Sequence, residues 1–137
     1  MKKLLAVLLL VSTMASAETY LQINGASVHT SPGYNGANYG AGIERDITEN
    51  ISVAGGFYQN SHSTTSAYAY ARIPFYKEGN WNLGIGFGAV TGYSLYPVLP
   101  MVFPEACYSV VCAILVPPVP GVNAAALGVR LRIPLGE

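Results

Sequence analysis

Asn38-Tyr-Gly-Ala-Gly-Ile-Glu-Arg-Asp-Ile47, Thr48-Glu-Asn50, Ile51-Ser-Val-Ala-Gly-Gly-Phe-Tyr-Gln-Asn60 is the stretch that decides the fold. With a period of two, Tyr39, Ala41, Ile43 and Ile47 share one face, and Asn38, Gly40, Gly42, Glu44 and Asp46 share the other. Such alternation predicts a strand with one apolar and one polar or small face. A three-residue turn at Thr48, Glu49 and Asn50 sets Ile47 opposite Ile51 and Ile43 opposite Gly55. Ser52, Ala54 and Gly56 then join the side of Glu44 and Gly42. A two-residue turn would oppose apolar to polar, because a one-residue slip inverts every side chain. Asn50 is expected to take the left-handed position of the three-residue loop.

Other runs repeat the pattern. Ser66 to Phe75 sets Tyr68, Tyr70 and Arg72 against Ala67, Ala69, Ala71 and Ile73. Trp81 to Tyr93 sets Trp81, Leu83, Ile85, Phe87 and Ala89 against Asn82, Gly84, Gly86 and Gly88. A glycine row leaves room for bulk from across an enclosed interior, while the apolar row needs a dry partner or lipid. Thr19 to His29 alternates poorly and is read as a strand because a hairpin follows it. Val98 to Ala106 and Tyr108 to Val116 are predicted as two irregular strands. The last strand is expected over Val122 to Ile133, with Val129, Leu131 and Ile133 alternating against Arg130 and Arg132. A single spanning helix over Val110 to Val129 is disfavoured by the prolines, Gly121 and Asn123 within it.

Eight candidate strands of about ten residues match the length and even number of bacterial membrane barrels. The predicted class is therefore all-β: a small, antiparallel, up-and-down, transmembrane β-barrel. The front of the chain agrees. Lys2 and Lys3, the apolar run Leu4 to Val11, and Ala15-Ser16-Ala17 form a secretory signal with expected cleavage after Ala17. The expected domains are thus a signal peptide over 1–17 and one barrel over 18–137, with the outer membrane as destination and a monomer as the state. The turns at Thr48 to Asn50 and Lys77 to Asn80 are expected to be periplasmic. Thr30 to Ala37 and Asn60 to Thr65 are then outer loops.

Composition narrows the partners. The chain is 51% hydrophobic and 10% charged, with 15 Gly and 10 Tyr, against about 25% charged for a soluble domain. Setting aside Lys2 and Lys3 leaves five basic and seven acidic side chains. That balance is too weak and dispersed for a nucleic-acid surface. The expected partner is outer-membrane lipid or lipopolysaccharide. No cofactor is expected, since there is no phosphate loop and no nucleotide fingerprint. Two distant histidines make a poor metal site. Cys107 and Cys112 are expected to form a small disulfide at the sixth-to-seventh turn, with free thiols the alternative. Trp81, Tyr58, Tyr93 and Tyr96 are candidates for interfacial aromatic girdles.

Chemistry is concentrated near the first turn. Centring that turn on Asn35-Gly36, a strong hairpin signal, puts His29 opposite Gly42 and Ser27 opposite Glu44. Ser27, His29 and Ser31 then share a row, with Glu44 diagonal to His29. A carboxylate can orient an imidazole, which can activate a serine; the alternative is a polar cluster that merely fills the barrel. His29-Thr30-Ser31 with Glu44 resembles the His-x-Ser…Glu arrangement of outer-membrane lipid A deacylases, which are eight-stranded barrels. The resemblance implies acyl-ester hydrolysis with Ser31 as nucleophile, His29 as base and Glu44 as its orienting acid. Asn60, Ser61 and His62, in a loop on the same expected rim, are the candidate substrate-binding residues. Pro97, Pro100 and Pro104, with Pro117, Pro118 and Pro120, resemble the proline-disrupted strand pairs of lipid A palmitoyltransferases, which implies lateral acyl-chain entry; the alternative is irregular edges and loops. The overall pattern also resembles small phage- and bacterium-encoded barrel proteins. Two other functions stay open: a non-enzymatic surface barrel, and a soluble periplasmic barrel holding a lipid, which the non-aromatic ending Leu135-Gly136-Glu137 favours.

Overall fold

Period-two alternation gives each strand a face to hide, and a barrel hides all such faces together. The computed structural model describes residues 18–93, 96–119 and 124–136. Residues 1–17, the expected signal peptide, and Pro120, Gly121, Val122 and Asn123 lie outside the described residues. The strands are β1 (Thr19–His29), β2 (Ala37–Thr48), β3 (Ile51–Gln59), β4 (Thr65–Glu78), β5 (Trp81–Thr91), β6 (Val98–Tyr108), β7 (Val111–Val116) and β8 (Ala126–Gly136). Each pairs antiparallel with its sequence neighbour, and β1 pairs with β8 to close an eight-stranded barrel. Closure gives every strand a partner on each side.

Side chains sort by parity. Gln22, Glu44, Ser52, Tyr68, Tyr70, Arg72, Phe103, Glu105, Arg130 and Arg132 point inward and are buried. Large apolar side chains face out on all eight strands, among them Ile23, Ile43, Val53, Ile73, Ile85, Val102, Leu115 and Val129. The expected faces of β2 to β5 and β8 are the observed ones. Inward glycines make space: a Cβ on Gly86 would sit 2.3 Å from the Phe103 ring, and one on Gly84 would sit 2.9 Å from the Arg72 guanidinium carbon.

The β2–β3 register sets Ile43 opposite Gly55, as the alternation predicts. The turn itself is tighter than expected. Thr48 pairs with Ile51 around Glu49-Asn50, and the register shifts between Asp46 and Thr48. Among the described non-glycine residues, positive φ occurs at Ser63 and Ser109, so Asn50 does not take the left-handed position. A bulge on the β2 side keeps apolar against apolar instead. Short turns also join β4 to β5, where Gly79 has φ 58°, and β6 to β7, where Ser109 has φ 55°. Positive φ at the first turn residue suits two-residue hairpins.

The first hairpin overturns its expected register. Tyr20 pairs with Glu44, Asn24 with Gly40 and Ala26 with Ala37. Asn35-Gly36 therefore ends a longer loop over 30–36 rather than centring a tight turn. Pro32 has no N–H for a ladder, and Gly33 at φ 92° turns the chain. The Asn35 side chain accepts from Ala37 N at 3.0 Å, a local side-chain-to-backbone turn that competes with pairing. A later boundary also moves. The β6–β7 turn falls at Ser109-Val110 rather than before Tyr108, and the last strand begins at Ala126, its expected start at Val122 lying outside the described residues.

Candidate functional site

Three buried arginines and two buried glutamates fill the middle of the barrel. Glu44 accepts from Arg132 through Nε at 3.1 Å and Nη2 at 2.8 Å, from Ser52 Oγ at 2.9 Å and from Gln22 Nε2 at 3.1 Å. Arg132 also lies 3.6 Å over the Tyr20 ring. Glu105 takes Arg72 Nε at 2.5 Å on one oxygen and Arg130 Nε and Nη2 at 2.8 and 2.5 Å on the other. Gln22 ties the two halves together, donating to Tyr70 at 2.6 Å and accepting from Tyr68 at 2.7 Å. Burial of such charges is tolerable only with this level of pairing. The network is a plug of bonded side chains.

This placement removes Glu44 from the first-turn cluster. Its backbone neighbour is Tyr20, about 30 Å down β1 from His29 at roughly 3.3 Å per residue. His29 closes β1 and stacks on Tyr34, with ring centroids 5.1 Å apart. Ser31 is exposed in the loop beyond it. The structure therefore does not bring His29, Ser31 and Glu44 together; Glu44 orients Arg132 rather than an imidazole. The physical reason is the longer loop over 30–36, which shifts β1 against β2.

Asn60, Ser61 and His62 do sit near His29. Tyr34 lies between the two histidines, 5.9 Å from His62, and His62 meets Tyr93 edge-on at 5.3 Å. Asn35 N donates to the Ser61 carbonyl at 2.8 Å, so the two loops are joined. Asn60 is fully buried and spent on its own loop, β4 and the residue that follows β5. Its amide donates to Ser66 Oγ and the Gly92 carbonyl at 2.9 and 3.0 Å, and its oxygen accepts from His62 N and Thr64 N at 2.9 and 3.1 Å. Ser61 differs: it is 8% exposed, and its Oγ is buried without a hydrogen-bond partner.

Ser61 borders a cavity of about 130 Å³ in the half of the barrel away from the short turns. Tyr58, Tyr68, Tyr93, Met101, Phe103 and Ile114 supply much of its wall, and Arg130 lies at its inner end. Sequence reasoning missed this cavity. Its only sequence signal is the facing of the small residues Ala126 and Gly128 toward the aromatic inward positions of β3 and β4.

The wall beside the cavity is thin in hydrogen bonds. β6–β7 pairing runs from Tyr108↔Val111 to Glu105↔Ile114, although β6 continues to Val98 and β7 to Val116. Successive strand residues direct their N–H to opposite neighbours. Tyr108 faces β7 across the two-residue turn, so Ala106, Pro104, Val102 and Pro100 face it too. Two of those four have no N–H to give. Below them, Cys107 and Cys112 pair directly and are joined by a disulfide with Cα atoms 4.0 Å apart. It spans the β6–β7 turn as expected, with both cysteines within the ladder. Glu105 is near both sulfurs, but a disulfide offers no thiolate to a metal.

Charge is distributed unevenly. From Val28 to Gly40, Gly56 to Tyr68, Gly88 to Pro104 and Ala113 to Val129 the sequence has no Asp, Glu, Lys or Arg. The half of the barrel away from the short turns, with its loops, thus has no Asp, Glu, Lys or Arg in these stretches. Glu18, Arg45, Asp46, Glu49, Lys77 and Glu78 all lie toward the short-turn end. No protein-family model matches the chain and no curated protein matches it.

Proposed function

We propose that the chain is a small, non-enzymatic outer-membrane β-barrel, inserted through its apolar wall and acting through what its uncharged mouth binds. The observation that carries the reading is the inversion of faces. Charges are bonded inside, while Ile43, Val53, Ile73, Ile85, Val102 and Val129 are exposed outside. In water such a wall would present apolar surface far beyond the few hundred Å² a soluble monomer exposes. Strands of about ten residues at a tilt of about 40° span the roughly 25 Å apolar band of outer-membrane barrels. Aromatic residues lie near the ends of that band: Phe75, Tyr76, Trp81 and Tyr108 at the short-turn end, Tyr39 and Phe57 at the other. The test is fractionation of expressing cells. Recovery in the outer membrane, resistance to alkaline wash and heat-shifted gel mobility support the proposal; recovery in the soluble periplasm contradicts it.

A second reading is lipid A acyl-ester hydrolysis, favoured by the proline-interrupted β6–β7 seam beside an apolar cavity. With Glu44 engaged by Arg132, it needs His29 and Ser31 to act without that carboxylate. Mass analysis of lipid A from expressing cells should then show the loss of one acyl chain, abolished by His29→Ala. An unchanged lipid profile rules it out.

A further inference from the structure

We propose that the cavity beneath the outer loops binds a neutral, single-ring molecule carrying one hydrogen-bonding group, of the phenol class, with Ser61 Oγ as its partner. The inference deepens the binding reading above and rests on it. Size comes first. About 130 Å³ is close to the roughly 150 Å³ that holds one benzene in an apolar protein cavity. That volume suits one ring.

Shape and chemistry agree with a ring. Tyr58, Tyr68, Tyr70 and Phe103 form a continuous aromatic run along the cavity, with centroid separations of 5.8, 5.9 and 5.0 Å. Offset and edge contacts to such rings reward another aromatic ring more than an aliphatic chain.

Polarity fixes the rest. Most polar groups on the wall are already partnered: Tyr58 with Tyr93 at 3.3 Å, Tyr68 with Gln22 and Asn24, and Ser27 with Asn38. Ser61 Oγ is buried and unpartnered, and a buried hydroxyl without a partner is costly. A ligand hydroxyl placed there would remove that cost. A carboxylate is disfavoured instead: among the described residues the only Asp, Glu, Lys or Arg on the cavity wall is Arg130, whose Nε and Nη2 are already given to Glu105.

The experiment uses the folded barrel in lipid nanodiscs, with the methyl groups of Met101 and Ile114 followed by NMR. Probes are p-cresol, toluene, benzoate and n-hexanol. The expected result is saturable shifts with p-cresol, about fivefold weaker binding of toluene, as one hydrogen bond implies, and none with benzoate. Ser61→Ala should bring p-cresol down to the toluene level and leave toluene unchanged. Gly128→Val should abolish both, because Gly128 lines the cavity and a Cβ there meets nothing closer than 3.9 Å. Heat-shifted mobility confirms that each variant is folded. No saturable shift, toluene equal to p-cresol, tighter benzoate or n-hexanol, or unchanged binding in Gly128→Val overturns the inference. Co-elution with the nanodisc reads insertion separately, so an inserted barrel that ignores p-cresol leaves the membrane reading standing.

Discussion

Glu105 holds two arginines, and each guanidinium is almost wholly buried. Replacing it by Gln leaves Arg72 and Arg130 sharing a neutral acceptor, and breaking a buried pair costs about 3 kcal/mol or more. Glu105→Gln should therefore lower the urea midpoint of the folded barrel strongly, whereas Glu49→Gln, on an exposed turn, should leave it nearly unchanged. Equal effects of the two would show that the interior pairs do not carry stability. Inward glycines give a second contrast. Gly86→Ala drives a methyl into Phe103, at 2.3 Å, and overpacking of this kind costs about 2 kcal/mol. At Gly128 an added methyl makes only ordinary contacts, the nearest at 3.9 Å, and Gly128→Ala should be neutral. The same urea titration checks both.

At the scale of the element, the β6–β7 seam is where the ladder is shortest. Pro100 and Pro104 remove donors on the β7 side, and the Cys107–Cys112 disulfide ties the four residue pairs that remain. Cys107→Ser with Cys112→Ser should cost about 2 kcal/mol, as expected for closing so short a loop. Its amide exchange should accelerate first at Ala106 and Ala113. Acceleration spread evenly around the barrel would contradict the seam as the weak joint. Strand identity and facing were legible in the sequence because period two is local: Trp81 to Ala89 and Tyr68 to Arg72 display it without any partner. Register was not legible in the first hairpin. Asn35-Gly36 has the chemistry of a tight turn, but Pro32 and Gly33 lengthen the loop, and the resulting slip moved Glu44 from His29 to Arg132. The ion pairs were half-legible. Arg130 and Arg132 alternate visibly with Val129 and Leu131, but the partner Glu105 lies in a proline-broken run whose facing only the closed barrel reveals. The cavity needed three dimensions, since its wall comes from strands far apart in sequence.

For the whole molecule, a filled interior and an apolar exterior make opposite demands on the two solvents. Arg72, Phe103, Gln22 and Glu44 are buried across the middle, which leaves no continuous water path of the kind wide barrels have. Planar bilayers containing the protein should show no stepwise conductance, and channel-like steps would contradict the plug. Contact between the outward apolar side chains and lipid is tested most directly by NMR relaxation enhancement in nanodiscs, comparing an acyl-chain nitroxide with a water-soluble gadolinium chelate. Val53, Ile73, Ile85, Val102 and Val129 are predicted to relax faster with the nitroxide and to ignore gadolinium. Strong gadolinium enhancement at those five positions, with none from the nitroxide, would show a wall that faces water.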